Sequence, residues 1–154
     1  MNSENTFDKF ALLREIMPRQ DENKVREIAD FMRVETYPAG HVLCREGETG
    51  NTLFVIGEGR VEVTQKNEEG QGSHRLGEAG RGDLIGEMSL LQNAPRNATV
   101  TALTDCIVLE MEKKDFENIL GHNPAVMVEL INIANERQRN NDVIAMETLF
   151  DLEH

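Results

Sequence analysis

The sequence predicts an α+β fold in which a block of short strands, closed as a sandwich or barrel, is flanked by helices. Apolar residues recur at helical spacing before position 33, brief β-branched runs alternate with glycine turns from Val34 to Glu112, and the helical period returns after Glu112. At 154 residues the chain suits one domain, expected over residues 7–150, with a core that needs neither disulfide nor structural metal.

Phe10, Leu13, Ile16 and Met17 share one helical face, and Val25, Ile28, Ala29 and Met32 repeat the spacing, so two short helices open the chain. The strand block contributes His41 to Cys44, Thr52 to Ile56, Val61 to Thr64, Ala98 to Ala102 and Cys106 to Met111. The polar run from Lys66 to Ser73 joins two of these strands as a hairpin tip. Phe116, Ile119 and Leu120 then define a helix that stops at Gly121-His122-Asn123-Pro124. Pro124 suits the first turn of a further helix, whose stripe of Val126, Met127, Leu130, Ile131 and Ala134 needs an apolar surface to cover; the strand block is the obvious partner. Residues 135–142 are entirely polar, and Val143, Ile144, Leu149 and Phe150 resume an apolar face beyond them, a candidate contact for a second copy or an effector.

Charge narrows the function. The 28 acidic residues outnumber the 16 basic ones, giving −12, and no Lys/Arg cluster offsets the repulsion this creates towards nucleic acid or anionic lipid. No run approaches the ~18 apolar residues of a membrane span, and the N-terminus lacks a secretion signal, so a cytoplasmic location is expected. Cys44 and Cys106 belong to no metal or redox spacing and are read as buried, reduced thiols. The ending Leu152-Glu153-His154 is read as the start of a histidine tag without functional weight.

The segment from Gly82 to Val100 carries the chemistry. It reads as a strand end, one helical turn and a loop. Gly86 allows close backbone approach to a ligand, and the amides opening a short helix over Met88 to Leu91 favour an anion. Arg96 adds a permanent planar cation able to make paired hydrogen bonds to phosphate oxygens, while Glu87 is an acceptor suited to a sugar hydroxyl. Taken singly, an arginine is more often a solvated surface charge and a glutamate a helix-dipole partner; it is their joint presence that points to a ligand.

Gly86-Glu87, a small helix and Arg96-Asn97-Ala98-Thr99-Val100 together resemble the phosphate-binding cassette of cyclic-nucleotide-binding domains, whose pattern is Gly-Glu, a helix, then Arg-x-Ala-Thr/Ser-Val. The likeness extends upstream through Glu46-Gly47-Glu48, Gly50-Asn51, Leu53 to Ile56, Gly59 and Val61-Glu62-Val63, and spans Val34 to Asn135. It implies a double-stranded β-helix, or jelly-roll-like β-roll, with short N-terminal helices, a cassette helix and C-terminal helices. It also implies a ligand set of Gly86, Glu87, Met88, Ser89, Arg96, Asn97 and Ala98. Glu87 would accept from the ribose 2′-hydroxyl, Arg96 would neutralise the phosphate, and Gly86, Ser89 and Asn97 would offer mainly backbone amides. The ligand is cAMP or cGMP, with no cofactor; Asn97 carries no hydroxyl of the kind that many cGMP sites of the family place there, so cAMP is favoured. Arg137 is a candidate lid contact over the base, although an exposed helical arginine is the simpler account.

Bland readings attach to the remaining features. Gly47, Gly50 and Gly59 are read as turn residues, and Glu46 and Glu48 as solvated turn charges. A cupin-like metal enzyme would need grouped histidines, which His41, His74 and His122 do not provide, and no hydrolase motif appears. The expected function is therefore non-enzymatic binding coupled to movement of the C-terminal helix. The other alternative, an interaction scaffold with a degenerate pocket, is opposed by the intact Glu87 and Arg96.

Overall fold

The computed structural model describes residues 7–68, 71–86, 95–126, 128–129 and 132. Helices α1 (Lys9–Ile16) and α2 (Glu22–Asp30) precede strands β1 (Arg33–Tyr37), β2 (Val42–Cys44), β3 (Thr52–Glu58), β4 (Val61–Lys66), β5 (Ser73–Ala79), β6 (Leu84–Ile85), β7 (Thr99–Ala102) and β8 (Cys106–Glu112). Helix α3 (Lys113–His122) follows at once, and helical backbone resumes at Pro124. The strands form two antiparallel sheets ordered β1-β8-β3-β6 and β2-β7-β4-β5. Apart from the β4–β5 hairpin, each strand lies in the opposite sheet from the one before it, which winds the chain into the expected β-roll.

The sheet containing β3 and β8 is buried on both faces, and this explains why those strands read as continuous apolar runs. Leu53, Val55, Leu109 and Met111 face the helices, packing with Leu12, Leu13, Met17, Val25, Ile28 and Phe116. Phe54, Ile56 and Val108 face the roll interior, where they meet Val61, Val63, Val100 and Ala102 of the other sheet. Burial of each such side chain stabilises the fold by about 1.5–3 kcal/mol before entropy is counted. Cys44 and Cys106 are buried in the interior cluster.

The helices are fixed by local chemistry as well as by their apolar faces. The Asp8 carboxylate caps α1 by accepting from the Ala11 amide at 2.9 Å. Arg26 lies 4.0 Å from the Phe10 ring centroid, so Phe10 sits half-buried beneath a cation, while Leu12 takes a fully buried place that the helical spacing had not marked. Lys24 Nζ hydrogen-bonds Asn123 Oδ1, joining α2 to the turn before the last helix, and Val126 of that helix is buried against the same apolar cluster. The remaining stripe residues Met127, Leu130, Ile131 and Ala134, and the apolar end around Ile144 and Phe150, lie outside the side chains described.

Candidate functional site

Strand β6 is followed at once by Gly86, whose φ of 91° lies in the left-handed region that glycine alone enters freely. Residues 87–94 lie outside the described set, and with them the expected roles of Glu87, Met88, Ser89 and the turn over Met88 to Leu91; Arg137 lies outside it too. The chain is described again at Pro95, which bridges Thr49. Arg96 is then pinned from both sides by the β2–β3 loop: its amide donates to Glu48 O at 2.8 Å, and its carbonyl accepts from Gly47 N at 2.7 Å. Sequence positions nearly fifty residues apart thus share one short antiparallel contact.

From that anchor the Arg96 side chain runs inward rather than out to solvent. It is 6% exposed, Nη2 donates to Thr52 O at 2.5 Å, and Cζ lies 5.6 Å from the Phe54 ring centroid. The guanidinium lies between two glycines. A Cβ at Gly50 would stand 2.6 Å from Nε and 2.7 Å from Cζ, and one at Gly86 would collide with Nη1. Nη1 is buried with no hydrogen-bond partner, and no carboxylate pairs with Arg96 among the described residues. A cation withdrawn from water without a counter-charge costs several kcal/mol, so this arrangement is stable only because another gain offsets it, and an anion at Nη1 would supply that gain directly.

The limb after Arg96 is tied down by polar bonds. Gln65 Nε2 donates to Asn97 O at 2.8 Å, Ala98 packs into the roll interior, and Thr99 Oγ1 accepts from Glu46 N at 3.0 Å. Glu46 Oε1 in turn accepts from Lys66 N at 2.8 Å, so Glu46 is not the solvated turn charge that its surroundings in sequence suggest. It is half-buried, linking the β2–β3 loop to the end of β4. Glu48 does keep a local turn role, accepting from Arg45 N at 3.1 Å. Of the expected set, Gly86 and Arg96 are brought together directly, and Asn97 and Ala98 continue from them along the same limb. Among the described residues Thr52, Phe54 and Gly50 also adjoin the guanidinium; the first two were not singled out as site residues and Gly50 was read only as a turn residue, since a carbonyl, a core ring and a turn glycine leave no chemical signature in a sequence. Among the described residues no three His, Cys, Asp or Glu side chains group to hold a metal ion, and no helix is long and apolar enough to cross a membrane.

The family model for the cyclic nucleotide-binding domain matches residues 34–123, which run from β1 to the end of α3. This chain belongs to that family. It is 35% identical over 113 residues to a cGMP-dependent protein kinase of Drosophila melanogaster, covering 73% of this chain and 10% of the kinase. It is also 35% identical over 120 residues to a cAMP-dependent protein kinase regulatory subunit of Mycosarcoma maydis, covering 75% of this chain and 22% of that protein. The crystal structure of a cyclic nucleotide-binding domain from Methylobacillus flagellatus superposes with a TM-score of 0.76, at 24% identity, over 85% of this chain and 79% of the other; that likeness is one of fold. The chain thus spans less than a quarter of either kinase-related protein.

Proposed function

We propose that this domain is a non-enzymatic, cytoplasmic sensor that binds a 3′,5′-cyclic nucleotide, with cAMP favoured over cGMP, and repositions its C-terminal helix in response. The observation that carries the reading is the buried Arg96 guanidinium with an unsatisfied Nη1 and no acidic partner among the described residues. A cyclic phosphate is a small monoanion with two exocyclic oxygens, matched to the paired donors of one guanidinium. Glu87 is assigned the ribose 2′-hydroxyl, with Gly86, Ser89 and Asn97 adding main-chain donors. The preference for cAMP rests on Asn97, which offers no hydroxyl to a guanine.

Capture of the phosphate draws the cassette inward, and the helix beginning at Pro124 repacks its apolar face over the base. The ligand drives this change only through a higher affinity for the closed state. Calorimetry with cAMP and cGMP tests the binding reading. Arg96→Ala removes charge-assisted hydrogen bonds of about 1.5–3 kcal/mol each, so affinity falls by roughly 100-fold or more. Arg60→Ala, which removes an exposed cation paired with Glu78, leaves it unchanged; equal affinities in the two variants refute the site. Spin-label distances from the roll to the last helix test the switch, which fails if saturating ligand leaves them unaltered.

A further inference from the structure

We infer that Gly50 is a positioning residue for Arg96: the absence of a side chain at position 50 creates the slot in which the guanidinium lies. This inference rests on the reading of Arg96 as the phosphate ligand. The two glycines beside the guanidinium differ in a way that isolates the role of one of them. Gly86 has a φ of 91°, so its backbone alone demands glycine. The φ of Gly50 lies outside that left-handed region, so its φ does not of itself demand glycine. The three atoms nearest to a Cβ at position 50 all belong to the Arg96 side chain: Nε at 2.6 Å, Cζ at 2.7 Å and Cδ at 3.1 Å. Gly47, three residues earlier in the same loop, shows the contrast, since a Cβ there would meet nothing within 4 Å.

The atoms in the way belong to the outer part of a flexible side chain, not to backbone. An added methyl group is therefore accommodated by displacing the guanidinium, and the penalty falls on the cation's position rather than on the roll. Displacement breaks the alignment set by the Thr52 carbonyl and turns Nη1 from its present aim. A shift of about 1 Å in a positioned charged group is enough to cost one to two orders of magnitude in function.

The test uses the full chain, with the wild type, Gly50→Ala, Arg96→Ala and the double variant. Each is titrated with cAMP, cGMP and the corresponding nucleosides, which lack the phosphate, and the Arg96 Nε–H resonance is followed without ligand. Gly50→Ala should move that resonance, melt close to the wild type and lose about 10- to 100-fold in affinity for the cyclic nucleotides. Weak nucleoside binding should be unaffected, and Gly50→Ala should add no further loss in the Arg96→Ala background. An unmoved resonance, an equal loss for nucleoside and nucleotide, or an additive loss in the double variant overturns the inference. If the wild type binds neither nucleotide, the phosphate reading fails, while the resonance still decides whether position 50 sets the guanidinium. If Gly50→Ala does not fold, the double variant must recover folding because its slot is empty; failure to recover it overturns the inference.

Discussion

Glu110 and Arg96 are the two buried charges among the described residues, 5% and 6% exposed, and both neighbour the Phe54 position. Glu110 lies directly across from Phe54 in the β3–β8 register, and the Arg96 guanidinium sits over that ring. Their surroundings are opposite. Glu110 accepts from Arg33 Nη2 at 3.0 Å and from the Tyr37 hydroxyl, so each carboxylate oxygen has a donor inside the protein. Arg96 has one carbonyl for Nη2, nothing for Nη1 and no counter-ion among the described residues. Among the described residues, then, one buried charge is neutralised within the fold and the other has no counter-charge, which is the ground for assigning Arg96 to a ligand. Burial alone does not mark a functional charge; burial without a partner does.

Removing the unpartnered charge separates binding from stability most sharply. Arg96→Met should abolish the stabilisation that saturating cyclic nucleotide gives, which at 100 times Kd amounts to about 2.7 kcal/mol. It should leave the ligand-free melting temperature unchanged or raise it, because an uncompensated buried cation is replaced by an apolar chain of similar reach. Glu110→Ala should do the converse. It deprives the Tyr37 hydroxyl of its acceptor and lowers stability by about 1–3 kcal/mol, while the ligand-induced rise in melting temperature survives. The Arg33 contribution to that figure is small, since its side chain is 47% exposed and solvent screens the pair. Thermal unfolding of both variants with and without cAMP checks the pair of expectations; a ligand-free Arg96→Met protein markedly less stable than wild type would show that the cation is compensated within the chain.

The same contrast governs what the sequence could reveal. The central strands β3, β4, β7 and β8 were legible because both neighbours and at least one packed face select for β-branched and apolar residues such as Val61, Val63, Val100 and Val108. Strands β1 and β5 were not singled out, and both are edges. Ser73–Ala79 contains His74, Arg75, Gly77 and Glu78 and is buried only at Ala79, so its strand conformation is imposed by pairing with β4 rather than by any local pattern. At the candidate site, Arg96 could be singled out because its motif is contiguous. Gly50 could not be distinguished from Gly47, since neither the left-handed backbone of Gly47 nor the contact of position 50 with a residue 46 positions away is written in the local sequence. Glu46 was misread for the same reason: its partner is the Lys66 amide, 20 residues on at the end of β4. Tyr37 and Glu110 went unremarked because a tyrosine and a glutamate on neighbouring strands become a unit only once the Arg33 to Glu110 register is fixed.

The smallest expected effect probes that unit through pH. Burial, and then the hydrogen bond to Glu110, push the Tyr37 hydroxyl well above the usual phenol value of 10.0. Because the folded state holds the proton more tightly than the unfolded chain, the associated stability is complete below about pH 10. It is lost progressively as pH rises from there towards the folded pKa, where the unfolded chain has already released its proton. Tyr37→Phe removes this dependence and leaves one oxygen of Glu110 without its donor, at a cost of about 1 kcal/mol near neutrality. Stability measured by urea unfolding should therefore fall more steeply above pH 10 in the wild type than in Tyr37→Phe, so that the two curves converge under alkaline conditions. The π-stacked neighbour His41, with ring centroids 4.3 Å apart, stays in place in either protein and does not carry the effect. Parallel curves across that range would mean that the Glu110 carboxylate is held by Arg33 alone, and the contrast with Arg96 would then rest on a single ion pair.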